Sequence, residues 1–246
     1  MKLSRDEKAA HRAAFRNMSP AEKLDHVFTY YKWPILLGLA ALVILGSVVH
    51  RQLTKRVPEL YLGFTNVSVG EDLESTLTDG FLAFSGADGA RREVYLYRDL
   101  YLTDDAAVED HQYAYASRMK LMGAVSARKM DLVLMNREAY DLLSRSGYLT
   151  ELSADFFAAT SGLYEQLLPL LTENEVVLSD NAIEYQLGEA DSLELETELV
   201  CNAVNVSTLP VFAGAGFSGE LYLGVIANSP RTDACLRYVD YLASAR

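Results

Sequence analysis

Four histidines and two cysteines are the scarce reactive groups of this 246-residue sequence, and their positions argue against catalysis. His11, His26 and His50 fall in the first fifty residues, leaving His111 as the lone histidine of the remainder. A Ser/His/Asp or Cys/His site would depend on His111, and no nucleophile-elbow sequence accompanies it. A histidine-rich metal site is excluded by counting. Cys201 and Cys235 have no short spacing and sit among apolar neighbours, as buried free thiols do; one bridge between them is the alternative outside the cytoplasm. The carboxylate pairs Asp104/Asp105 and Glu109/Asp110 read as helix-start charges rather than calcium ligands. Gly214-Ala-Gly216-Phe-Ser-Gly219 matches G-x-G-x-x-G but precedes an apolar strand. The dinucleotide fingerprint must follow a strand and open a helix, so a loop is expected there. The sequence therefore predicts no enzyme, no cofactor and no metal.

What polar chemistry remains lies at the ends of apolar segments. Asn66 and Ser68, Tyr101, Asn136 and Asn228 each follow such a segment and offer amides, a hydroxyl and an aromatic ring to a small polar ligand. Asparagine and serine at these positions also cap helices, which is their competing role.

These residues need a framework, and the hydrophobic periods supply one. Residues 59–68, 93–97 and 131–136 read as buried strands. Between and after them, 71–84, 104–129 and 137–146 repeat apolar positions at helical spacing. Acids open the first helix, Thr103 is placed to cap the second, and Gly147 closes the third. A strand–helix alternation of this kind predicts an α/β fold with a doubly wound, mainly parallel sheet. In such sheets ligands bind beyond the carboxyl ends of the strands, where the strand order reverses. Farther on, 155–171 reads as helix and 175–178 as strand. Leu193, Leu195 and Leu199 alternate with Glu194, Glu196 and Glu198, predicting a half-buried strand with an acidic outer face. Residues 220–226 read as a last strand and 231–245 as a last helix. Glu59-Leu-Tyr-Leu-Gly63 recurs as Glu220-Leu-Tyr-Leu-Gly224, an agreement that similar packing demands on two central strands would produce.

Charge and hydropathy divide the chain. Residues 1–32 carry seven bases and four acids, residues 51–56 three bases, and residues 57–246 twelve bases against thirty acids. So acidic a region repels nucleic acid and anionic lipid surfaces, and no nucleic acid is expected as a partner. From Pro34 to Val49 there is no charge, and extension to 27–50 reaches the roughly 20 residues that span a bilayer. Ser19-Pro20-Ala21-Glu22 supplies a helix start. Tyr30, Tyr31 and Trp33 supply an interfacial belt, and Lys32 can snorkel to the headgroups. The expected organisation is a cytoplasmic tail at 1–26, a single transmembrane helix at 27–50 acting as an uncleaved signal-anchor, a linker at 51–58 and a domain at 59–246. Bases near the span are balanced at three on each side, but the full N-terminal stretch through Lys32 carries seven against three after the span, which places the N-terminus in the cytoplasm and the domain outside the cell membrane.

Asp131-Leu-Val-Leu-Met-Asn136, Tyr140, Gly147-Tyr-Leu149 and Glu151-Leu-Ser153 together resemble a stretch of type II extracellular solute-binding proteins. Tyr222-Leu-Gly-Val-Ile-Ala-Asn-Ser229 is similar to their return segment. The lead Tyr30-Tyr-Lys-Trp33 into one span resembles uncharacterised membrane proteins of Gram-positive bacteria. The resemblance covers about residues 59–152 and 220–244 and implies a periplasmic-binding-protein-like fold. About 190 residues do not accommodate two full lobes, so the second is expected to be reduced. Two functions follow as expectations. One is a membrane-anchored, non-catalytic solute-binding-like domain for a small polar ligand or a membrane-protein partner. The other is a structural or regulatory subunit of a membrane complex with no small ligand.

Overall fold

A computed structural model of the chain describes residues 19, 33–34, 36–48, 55–105, 110–160, 162–181, 186, 192 and 194–245. It divides into two compact units, Met1–Lys55 and Arg56–Arg246. In the first, residues 36–48 are helical and every side chain there is exposed. No helix of the described residues is long and apolar enough to cross a membrane. Of the expected tail at 1–26 only Ser19 is described, and Pro20, Glu22, Tyr30, Tyr31, Lys32 and His50 lie outside the described residues.

The second unit is α/β, built on a mixed six-stranded sheet. Strand β1 (Val57–Thr65) leads into a continuous helix α1, made of an α segment Glu71–Ser75, a π turn Thr76–Gly80 and an α segment Phe81–Phe84. Strand β2 (Arg92–Leu100), helix α2 (His111–Ser126), strand β3 (Leu132–Met135) and helix α3 (Arg137–Arg145) follow. Next come the short helix α4 (Leu163–Leu167), the hairpin strands β4 (Leu171–Asp180) and β5 (Leu195–Asn205), strand β6 (Tyr222–Val225) and helix α5 (Thr232–Ser244). The sheet order is β2-β1-β3-β6-β5-β4.

Because β2 and β3 lie on opposite sides of β1 and both are parallel to it, right-handed crossovers must place α1 and α2 on opposite faces. Two separate cores show this. Leu77 and Phe81 of α1 join Leu60, Leu62 and Phe64 on one face, and Tyr238 and Leu242 of α5 close that core. Leu121 and Val125 of α2 join Met130, Val133 and Tyr140 on the other. The π turn in α1 is matched from across the core. Tyr241 and Tyr238 of α5 donate their hydroxyls to the carbonyls of Thr76 at 2.8 Å and Leu77 at 3.0 Å. These are carbonyls that a regular α turn would satisfy internally.

The parallel expectation holds only for β1, β2 and β3. β6 runs antiparallel to β3, β5 antiparallel to β6, and β4 antiparallel to β5, so the sheet is not mainly parallel in its pairings. Hydrophobic pattern marks a strand but not its direction, which follows from its connection, and no helix separates β5 from β6. Other boundaries shift for local reasons. Val57 and Pro58, expected in a linker, open β1, where Val57 pairs with Arg92. Thr103 does not cap α2; Asp110 does, accepting the Tyr113 N–H at 2.9 Å. The helix expected over 155–171 shrinks to α4, which starts at the left-handed Gly162 (φ 79°) and runs into a 3-10 turn Leu168–Leu170 containing Pro169. Strand β5 pairs with β6 only at Val204 and Asn205, so its outer half projects with β4 as a two-stranded ribbon. Leu195 and Leu199 are therefore exposed along with the glutamates between them, which corrects the half-buried face.

The two Glu-Leu-Tyr-Leu-Gly runs flank β3, as their packing requires. Val133 pairs with Gly63 on one side and Gly224 on the other. A Cβ at Gly63 would meet Met130 Sδ at 2.9 Å, and one at Gly224 would meet Leu149 Cδ2 at 2.8 Å.

Both cysteines are free, Cys201 half-buried and Cys235 buried. Burial pushes the Cys235 thiol up to about 12 and raises the Tyr238 and Tyr140 hydroxyls as well. The unfolded chain ionises these groups nearer their ordinary values, about 8.5 for a thiol and about 10 for tyrosine. Their stabilising contribution is thus complete below about pH 8.5 and is lost as pH rises toward 12. Urea unfolding at rising alkaline pH is expected to give a falling midpoint, with a shallower fall in Cys235→Ala. A midpoint flat from neutral pH to pH 11 would contradict the burial of these groups.

Candidate functional site

The order β2-β1-β3 makes the carboxyl ends of β1 and β3 the switch point of the parallel half. Asn66 leaves β1 there in the left-handed conformation (φ 57°), which asparagine tolerates better than other non-glycine residues. Its side chain is fully engaged. Nδ2 donates to the Leu102 carbonyl at 2.7 Å, and Oδ1 accepts the Leu102 N–H at 2.8 Å. A third, longer contact runs from Nδ2 to Glu138 Oε2 at 3.4 Å. Asn66 thereby ties the segment after β2 to the loop after β1 and reaches the first turn of α3.

Asn136 sits at the end of β3 as the N-cap of α3, its Oδ1 accepting the Ala139 N–H at 3.0 Å. Ser68 is exposed in the loop before α1. Tyr101 is half-buried and stacks on Tyr113 of α2, ring centroids 6.2 Å apart. Four of the five predicted residues therefore lie at one end of the sheet. Asn228 does not join them. Since β6 is antiparallel, its carboxyl end is at the opposite edge, where Asn228 donates to the Val125 carbonyl at the foot of α2 at 2.9 Å.

Two clusters at the ends of the sheet escaped sequence reasoning. At the switch-point end, the Arg137 guanidinium lies over the rings of Tyr140 and Tyr222 at 5.6 and 5.8 Å and pairs with Asp141 at 2.9 Å. The Tyr222 hydroxyl donates to Glu220 at 2.5 Å. At the opposite end, Asp131 is fully buried at the start of β3. It accepts from the Tyr61 N–H at 2.8 Å, the Ser229 hydroxyl at 2.6 Å and Arg231 Nε at 2.7 Å. Arg231 also stacks on Tyr61 at 4.6 Å and donates to the Arg128 carbonyl at 2.6 Å. Both clusters depend on β6 running antiparallel to β3, for which the one sequence signal is the helix-free connection from β5.

Three concavities can be described, and none is lined by a predicted site residue. One of about 350 Å³ runs along β2 beside α1, bounded by Arg56, Glu74, Thr78, Glu93 and Arg98. The Arg98 guanidinium, hydrogen-bonded to Glu74, holds that carboxyl below its ordinary value. A second, of about 370 Å³, borders Glu59, which accepts ion pairs from both Arg92 (3.2 Å) and Arg237 (3.1 Å). The third, about 200 Å³, lies between α2 and α3 against Leu121, Leu143 and Tyr148. Among the described residues no cluster of three His, Cys, Asp or Glu side chains is arranged to hold a metal ion.

Thr65, the last residue of β1, is buried, and its hydroxyl is the one buried side-chain polar atom without a partner among the described residues. An unmet hydroxyl costs about 1–3 kcal/mol. Thr65→Val, which keeps the shape and removes the hydroxyl, is expected to raise stability by about 1 kcal/mol in urea unfolding. A loss of stability instead would reveal a partner for that hydroxyl.

Comparisons with protein-family models, with curated proteins and with solved structures return no match.

Proposed function

We propose that this chain is a membrane-anchored, non-catalytic α/β domain that serves as a structural or regulatory subunit on a membrane-protein partner. In this reading one helix over about residues 27–50 holds it, with the N-terminus cytoplasmic and the domain extracytoplasmic. The carrying observation is Asn66, whose amide is committed in both directions to Leu102 at the switch point. The two amides that would greet a small ligand are instead bonded within the fold, Asn66 to Leu102 and Asn136 to the first turn of α3. This favours the partner role over the small-polar-ligand role. The fold would then be one lobe of the solute-binding type with its cleft closed from within and its second lobe reduced to the β4–β5 ribbon. Support for the anchor comes from residues 36–48, an apolar helix with every side chain exposed. Thirteen residues at 1.5 Å each cover about 20 Å of hydrocarbon, and apolar surface of that extent is stable in lipid rather than water.

Two measurements test this on the full chain. Thermal unfolding in detergent against amino acids, sugars, peptides and metal salts is expected to show no stabilisation. A shift by any of them, reproduced at several concentrations, overturns the partner role in favour of ligand binding. Alkaline carbonate washing of membranes is expected to leave the chain in the pellet. Its release would overturn the anchor.

A further inference from the structure

Helix α2 has two apolar faces. Leu121, Ala124 and Val125 point into the core. On the outer side, Tyr115, Met119 and Met122 follow at i, i+4 and i+7, and are 67, 51 and 39% exposed. A helix bordering water normally turns polar residues outward along that stripe. The charges around it are equally unusual. From His111 to Met130 there is no Asp or Glu, while Arg118, Lys120, Arg128 and Lys129 are all present. Elsewhere in residues 57–246, acids outnumber bases by thirty to eight. Arg118 pairs with Asp104, but Lys120, Arg128 and Lys129 have no carboxylate partner among the described residues. Tyrosines continue the surface onto β2, where Lys120 Nζ lies 6.0 Å over Tyr97 and the neighbouring Tyr95 is 44% exposed.

We infer that this outer face of α2, with Lys120 and Lys129, docks on an anionic phospholipid surface. The occupant follows from three properties together. Exposed tyrosine and methionine beside lysine suit the boundary between headgroups and acyl chains. Lysines beside an anionic leaflet are attracted to it within a Debye length of about 8 Å. The chain also enters the domain at Val57, at the end of the sheet where α2 finishes and Arg128 and Lys129 lie. A tether at that end raises the effective concentration of headgroups there, so weak contacts suffice. The acidic remainder is repelled by the same surface, and the two effects orient the domain. The inference rests on the anchored reading above.

Methionine oxidation in the full chain, reconstituted into nanodiscs, reads this out. Met119 and Met122 are the exposed reporters, and the fully buried Met130 and Met135 are internal controls for folding. Nanodiscs containing phosphatidylglycerol are expected to slow oxidation of Met119 and Met122 several-fold relative to phosphatidylcholine alone. High salt, or the pair Lys120→Glu and Lys129→Glu, should abolish that protection while Met130 and Met135 stay protected. Equal oxidation in both lipids overturns the inference. So does protection that is indifferent to lipid charge and grows with the number of copies per disc, which would identify a contact between copies. Failure of the chain to co-elute with nanodiscs of either composition would instead sink the anchor itself.

Discussion

Replacing Asp131 with alanine is expected to destabilise the domain by about 3–5 kcal/mol, lowering its melting temperature by about 10 °C. The carboxylate is fully buried and accepts from a backbone N–H of β1, a hydroxyl in the turn after β6 and the guanidinium at the head of α5. It thus joins β1 and the segment Ser229–Arg231 to the start of β3, three stretches distant in sequence. Its removal leaves the Tyr61 N–H without its acceptor and Arg231 without its counter-charge, and an uncompensated group costs more than the bond itself was worth. Asp131→Asn keeps one acceptor and should cost less. Adding Arg231→Met to Asp131→Ala should recover part of the loss, because the stranded cation is then gone. Thermal and urea unfolding of the full chain in detergent measure all four proteins. A single-variant loss under about 1 kcal/mol would mean that the cluster does not hold these elements together.

Asp131 also shows how much of this fold the sequence discloses. It was legible as the start of a strand, because four apolar residues follow it and the Asn136 cap ends it. The same logic recovered β1, α1, β2, α2, β3 and α3, each long enough or periodic enough to declare itself. Strand direction was another matter. The hydrophobic pattern of a strand is the same read forward or backward, and the helix-free connection into β6 was not used to set its direction. Only the completed sheet shows that it returns antiparallel to β3. From that one missing fact came the misplacement of Asn228, assigned to the ligand end but lying at the Asp131 end. The acidic alternation of 194–198 misled for a different reason. It has the period of a strand with one wet face, yet β5 outruns β6 and leaves both faces wet. At the switch point the sequence grouped Asn66, Tyr101 and Asn136, and they lie at one end of the sheet. What it could not show is that Asn66 turns inward onto Leu102, since that bond depends on where the segment after β2 passes.

Asn202→Ala is the second substitution expected to have a large effect, about 2–4 kcal/mol, and the reason lies where the antiparallel half meets α3. Asn202 is fully buried at an irregularity of β5, with no partner opposite it in β4. Its Oδ1 accepts the Tyr140 hydroxyl at 2.8 Å, and its Nδ2 donates to Ser144 Oγ at 2.8 Å. The two α3 residues reach further: the Tyr140 hydroxyl also contacts the Thr172 carbonyl, and the Ser144 hydroxyl donates to the Glu175 carbonyl, each at 2.8 Å. A hydroxyl has one hydrogen, so Tyr140 shares its proton between two acceptors, whereas Ser144 donates to β4 and accepts from Asn202. Removing the amide leaves a cavity and takes one acceptor from Tyr140 and one donor from Ser144. Tyr140→Phe should cost less, about 1–2 kcal/mol, since the ring stays stacked on Tyr222 at 4.7 Å. Because all three side chains share one network, the double variant Asn202→Ala/Tyr140→Phe should lose less than the sum of its parts. Strict additivity would mean that each bond holds α3 to β4 and β5 independently of the others, with no network between them.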